Sequence, residues 1–239
     1  MESQSCVRSP AWIGFARHWT WAVGVAHCGS FVMGTEQQLA LAEQVAGLAR
    51  SLKLETALIG ASALAYYGYV RATSDIDFAI VTNPYESLPR LAEAAEAVGL
   101  SARVIQPEHD DPLGGTVRFW EQVDADGDPI DPIDVVNFFN PHTPLKIQKA
   151  ARLAIEQAQP IAETTNLRCV PLPYLIVLKL YAGTRQDLAD VVAVIAASLD
   201  ANLDEIRAVC KEHGLEGEGA NSINNLIDEA AALRRQPKR

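Results

Sequence analysis

The chain has 239 residues, with 20 lysines and arginines against 30 aspartates and glutamates, a formal charge of −10. That balance excludes a generally basic nucleic-acid-binding surface, though not a local patch. A 49% hydrophobic composition is ample for a packed core, and the length fits one large domain or a core with an appendage.

Cys6, Cys28, Cys169 and Cys210 are scattered, with no C-x-x-C pair, so a zinc site is not indicated and free thiols in a reducing cytoplasm are the simplest reading. The histidines are dispersed too, without metal spacing, and His109 and His142 read as surface loop residues. Trp12, Trp19 and Trp21 crowd residues 1–32 with no helical or strand period. Arg17 and His18 interrupt the apolar run, and His27 precedes Cys28, which argues against a secretory signal or lipoprotein anchor. Residues 1–32 are expected to be a disordered extension ahead of Met33. No stretch has the apolar length of a membrane span.

From Thr35 the pattern becomes regular. Thr35 is placed to cap a helix reaching about Leu52, with Leu39, Leu41, Ala42, Val45, Leu48 and Ala49 on its apolar side. Ala57-Leu58-Ile59 reads as a short buried strand. Gly60-Ala61-Ser62 then turns into a helix of small residues, Ala63 to Tyr67, which Gly68 can stop. A second strand follows, with Asp75 and Asp77 at its start and Phe78 to Val81 as its body. Strand residues two apart share a face, so the two carboxylates lie side by side while Ile76, Phe78 and Ile80 point into a core. Anions that close repel unless a cation lies between them, and hard oxygen ligands suit magnesium. Alone, an Asp-x-Asp pair is as readily a solvated strand end. The Gly-x-Ser turn upstream adds a helix mouth whose free N–H groups attract phosphate. Ser62 has a weaker reading as a hydrolase nucleophile, because Leu64 stands where the second glycine of G-x-S-x-G belongs.

Asn83-Pro84 breaks the chain before an amphipathic helix, Tyr85 to Val98, ended by Gly99. Ser101 to Ile105 is a strand, and an acidic loop spans Pro107 to Gly115. Val117–Val123 and Pro132–Phe139 read as two strands of a hairpin turning at Asp126-Gly127. Asp124 to Asp128 superficially suggests a calcium loop, but Pro129 and Val135 stand where its glycine and glutamate belong. Asp134 lies within the apolar run Ile133 to Val136. It is either on the solvent face of an edge strand or buried with a partner or metal, and spacing does not decide. Asp131, before Pro132, is expected in extended geometry, as at a strand entry.

Lys146 to Gln157 reads as a helix and Ile161 to Val170 holds a strand or arm. Pro171 and Pro173 suit the start of the next helix, which carries Lys179 as its one charge. That lysine either snorkels at the helix edge or reaches a phosphate. Asp187 is placed to cap a helix from Leu188 to Leu199. Helices over about Leu203–His213 and Asn221–Leu233 carry no chemical signature, and Arg234, Arg235, Lys238 and Arg239 read as a solvated tail.

Gly60-Ala61-Ser62 followed by Arg71-Ala72-Thr73-Ser74-Asp75-Ile76-Asp77 resembles the signature of the nucleotidyltransferase superfamily. The Arg-x-Thr form resembles its AbiEii/AbiGii toxin-like branch, as do Lys179, Ala182, Arg185, Asp187 and Asp190, with Gln186 departing from a usual basic residue. The resemblance implies an α/β fold, a mixed sheet flanked by helices, with a core over 33–165 and a mostly helical portion over 166–239. It implies transfer of NMP from an NTP to a hydroxyl on RNA, such as tRNA, or on protein, with a possible antitoxin partner. It also implies a third carboxylate on a strand beside Asp75 and Asp77, for which Asp134 is the candidate and Asp131 the fallback, and magnesium, two ions being expected. Gly60 and Ser62 would hold the phosphates and Lys179 would neutralise their charge. Arg71 would support the carboxylates or form a structural ion pair. A small-molecule nucleotidyltransferase of the aminoglycoside-modifying kind, or a catalytically silent binding module, are the rival functions.

Overall fold

The computed structural model describes residues 35–142, 146–162 and 164–235. The extension expected over 1–32, and Lys238 and Arg239, lie outside them. The first helix, α1 (Glu36–Ser51), is capped by Thr35, whose hydroxyl accepts from the Gln38 N–H. The chain then runs through β1 (Ala57–Leu58), α2 (Gly60–Tyr66), β2 (Ile76–Ile80), α3 (Pro84–Glu96) and β3 (Ser101–Ile105). Next come β4 (Thr116–Trp120), β5 (Gln122–Val123), β6 (Pro129–Ile130), β7 (Ile133–Asn137) and α4 (Lys146–Glu156). The short strands β8 (Gln159–Pro160) and β9 (Arg168–Cys169) lead into α5 (Leu172–Ala182), α6 (Arg185–Ala197), α7 (Leu203–Glu212) and α8 (Ile223–Arg235).

One mixed sheet has the order β3-β4-β7-β2-β1-β9-β8. The central pair, β2 and β7, is parallel, and β4 lies antiparallel to β7. The expected hairpin is present. Asp126 lies midway between the partners of each pair, from Val123 with Pro129 to Thr116 with Val136. The expected strand Val117–Val123 breaks at Glu121, so β5 and β6 form a small separate ribbon beyond the main sheet.

Alternation along β2 sorts its side chains as expected. Ile76, Phe78 and Ile80 join Leu88 and Leu91 of α3 and Val45 of α1 in one core beneath the sheet. Ala79 joins a second core on the other face, built from α2, α4 and the C-terminal helices. Residues such as Phe78 and Ile80 are 1% exposed, and burying each apolar side chain of that size contributes about 1.5–3 kcal/mol. α5 is apolar on nearly all sides because it lies inside the second core rather than on its surface. No helix among the described residues is long and apolar enough to cross a membrane.

Buried polar side chains pin the strand ends. Asn137 is fully buried; its amide accepts from the N–H groups of Thr82 and Phe139 and donates to the carbonyls of Thr82, Gly114 and Phe139. Gln38 on α1 donates to the Ser74 carbonyl, holding the approach to β2. Arg234 is exposed, as a solvated tail residue would be, but it is not frayed: it lies within α8. Its guanidinium donates to the carbonyls of Ala196 and Ser198, which satisfies the C-terminus of α6.

Candidate active site

The parallel register of β2 and β7 sets Asp77 directly beside Asp134. Asp75 stands one residue ahead of β2, on the same side of the chain as Asp77. One carboxylate oxygen from each of Asp75, Asp77 and Asp134 lies within 4.8 Å of the others. The strand face therefore decides what spacing left open. Asp134 is 7% exposed and lies among the buried residues rather than on a solvent edge. Burial, then the charges of Asp75 and Asp134, push the Asp77 carboxyl up to about 7, with Lys179 and Arg71 opposing. Three hard oxygen donors under mutual repulsion suit a hard divalent cation such as Mg2+, and this cluster could hold one.

Asp131 is a correction. It takes a left-handed conformation with φ 49°, not the extended one expected before a proline, and its carboxylate accepts from the Thr35 hydroxyl at 3.1 Å. A bond to the helix cap engages its carboxylate, and Asp131 is not one of the three acids whose oxygens converge.

Gly60 is the first residue of α2, with φ +61°. Thus Gly60-Ala61-Ser62 forms the opening turn of the helix rather than a loop before it. A Cβ built on Gly60 would lie 2.0 Å from Asp77 Oδ2. Only a glycine fits this approach, which brings the N-terminal turn of α2 against the Asp77 carboxylate. The Ile59 N–H donates to the Asp77 carbonyl at 2.9 Å and fixes the spacing. Ser62, half-buried, sits in the same first turn.

The Arg-x-Thr segment has a mechanical explanation. The Thr73 hydroxyl donates to Asp75 Oδ1 at 2.5 Å and so orients the first acid. Arg71 Nε lies 3.2 Å from the Asp190 carboxylate on α6, tying the segment to the C-terminal helices. Of the two readings for Arg71, the ion pair is the contact present.

Lys179 does not snorkel. It is 8% exposed, and its ammonium donates to Asp187 at 2.9 Å and to Asp190 at 2.8 Å. Gly183, with φ 66°, ends α5 and turns the chain straight into the Thr184 cap of α6. That tight turn brings both aspartates back over Lys179. Asp187 is not itself the cap: Thr184 is, and Asp187 completes a capping box as the third helical residue. Although burial opposes it, hydrogen bonds from Thr184 and Lys179 hold Asp187 below its ordinary range. Asp190 is fully buried and also accepts from Gln186, the position where the sequence departs from its pattern.

Arg118 on β4 was not singled out from the sequence. It pairs across the hairpin with Asp134 and donates Nε to Oδ1 at 2.8 Å and Nη2 to Oδ2 at 2.6 Å. The signal was available in the turn, since folding about Asp126 lays Arg118 against Asp134. The hydrogen bonds to Asp134 raise the proton affinity of the guanidinium further.

The family described as "Nucleotidyl transferase AbiEii toxin, Type IV TA system" matches residues 46–238. No curated protein matches the chain in sequence. Among solved structures, it is similar to ANT(2")-Ia in complex with adenylyl-2"-tobramycin, at 15% identity over 82% of this chain and 98% of that one, TM-score 0.40. An antigenic nucleotidyltransferase-like protein from Paracoccidioides brasiliensis is 12% identical over 84% of this chain and 94% of its own, TM-score 0.45. Terminal uridylyl transferase 4 from Trypanosoma brucei with bound GTP is 13% identical over 67% of this chain and 49% of its own, TM-score 0.32.

Proposed function

The chain belongs to the AbiEii nucleotidyltransferase toxin family, and on that footing we propose that it transfers NMP from an NTP to a hydroxyl on RNA, such as tRNA, or on protein, as the toxin of a toxin–antitoxin pair. The observation that carries the site assignment is the convergence of Asp75, Asp77 and Asp134 within 4.8 Å beside the opening turn of α2. Two readings of these acids compete, a metal site and a solvated strand end. The burial of Asp134 and the raised proton affinity of Asp77 support the first.

In this reading Asp75, Asp77 and Asp134 hold two magnesium ions. Bound there, magnesium supplies positive charge to the triphosphate and makes the acceptor hydroxyl more acidic. The hydroxyl oxygen attacks the α-phosphorus, its proton passes towards Asp134, and the bond from the α-phosphorus to the bridging oxygen breaks, releasing pyrophosphate. The N–H groups of the turn from Gly60 to Ser62 receive the β- and γ-phosphates. Lys179 has two of its three N–H donors on Asp187 and Asp190, leaving the third for a phosphate oxygen. Arg71 holds the segment before Asp75 through Asp190 and acts on the site by positioning.

The test is incubation with each labelled NTP and magnesium, offering tRNA, candidate proteins and aminoglycosides in turn. Label on RNA or protein, lost in Asp77→Asn, is the expected result. Label on the aminoglycoside alone would replace this reading with small-molecule modification. No transfer and no triphosphate binding would leave a silent binding module.

A further inference from the structure

Across the sheet, Asp77 on β2, Asp134 on β7 and Arg118 on β4 form one lateral row of register partners. Arg118 closes that row with a two-point fork, one donor to each oxygen of Asp134. Two parallel bonds fix the plane of a carboxylate, whereas its terminal torsion is otherwise broad. The other cations near the cluster are differently engaged. Lys179 bonds to Asp187 and Asp190, and Arg71 to Asp190. Among the described residues, Arg118 is thus the cation that hydrogen-bonds directly to one of the three acids.

We propose that Arg118 is a positioning residue for the metal site: its fork sets the Asp134 carboxylate so that one oxygen is presented towards Asp75 and Asp77. The inference rests on the reading that these acids bind divalent cations. A carboxylate offers about four acceptor sites, and the fork uses one on each oxygen, so the pair and a metal can share Asp134. The role belongs to the planar fork and not to the charge alone. A lysine at this position keeps the charge but meets the carboxylate at a single point. The outer side of Arg118 is wet, its side chain being 41% exposed, so replacing it opens no void in the core.

The experiment is a titration with Mn2+, followed by the loss of the free-ion electron paramagnetic resonance signal, on the full chain. The proteins are wild type, Asp77→Asn, Arg118→Lys, Asp134→Asn and the Arg118→Lys/Asp134→Asn double variant. Thermal melts accompany each titration, and Arg118→Gln replaces an Arg118→Lys that melts early. Arg118→Lys is expected to weaken Mn2+ binding about tenfold, the range for lost support of a metal-binding carboxylate. The double variant is expected to bind no more weakly than Asp134→Asn, because the arginine acts through that acid. A wild-type affinity in Arg118→Lys, or a further tenfold loss in the double variant, would overturn the proposal. Equal Mn2+ binding by wild type and Asp77→Asn would instead overturn the metal reading beneath it, and this proposal with it.

Discussion

Replacing Gly60 with alanine probes the contact on which the site geometry depends. The new methyl carbon would lie 2.0 Å from Asp77 Oδ2 and 2.9 Å from its Cγ, so one of them must move. The soft coordinate is the Asp77 side chain, which can rotate away, while the backbone of α2 is held by the Ile59 bond to the Asp77 carbonyl. Relief therefore takes the carboxylate out of the three-acid cluster. The left-handed backbone, φ +61°, adds about 1–2 kcal/mol for a residue with a side chain. For a domain of this size that is a fall in melting temperature of about 2–8 °C. The functional loss is larger than the stability loss, because a ligand has been displaced. Mn2+ affinity is expected to drop about tenfold or more. The assay pairs a thermal melt with a Mn2+ titration. A Gly60→Ala protein that melts lower but binds Mn2+ like wild type would refute the reasoning, since Asp77 would then have kept its place.

Asp190→Ala removes the fully buried acceptor shared by Lys179 and Arg71, and should cost about 3–5 kcal/mol in a urea unfolding experiment; a loss below about 1 kcal/mol would mean the cluster is not held as described. Asn137→Ala strands the Thr82 and Phe139 N–H groups and should lower stability by about 2–3 kcal/mol by the same measurement. Burial holds the His213 imidazole below its ordinary value of 6.5, so the unfolded chain takes up the proton first as pH falls. Stability is then retained above about pH 6.5 and declines as pH drops below it. His213→Phe should flatten that decline between pH 7.5 and 5, and parallel curves for the two proteins would contradict it.

Much of the site is legible in local pattern, because its parts are close in sequence. Asp75 and Asp77 follow from strand alternation, and the hairpin from Asp126-Gly127. The turn register would also have placed Arg118 against Asp134, but a lone arginine in an apolar strand draws no notice until the facing residue is known to be acidic. Asp134 itself needed the sheet order, since only a strand with neighbours on both sides buries such a residue. Lys179 was harder still. A charge on an apolar helix reads as an edge position when helices are taken one at a time. The tight turn at Gly183 and Thr184 folds the next helix back and supplies two carboxylates inside the core. Asp131 shows local preference losing to a tertiary bond, as the pull of the Thr35 hydroxyl accompanies a backbone that the following proline disfavours. Asn137 and Gln38 gave no periodic signal, because their work is to satisfy backbone groups of distant segments.

The central claim is that a divalent cation binds among Asp75, Asp77 and Asp134. Anomalous scattering from a crystal soaked in Mn2+ with a non-hydrolysable NTP addresses it without an acceptor. The account predicts a peak in contact with all three carboxylates and with the triphosphate. A nucleotide bound elsewhere, or density in which Asp134 stays apart from the ion, would contradict it.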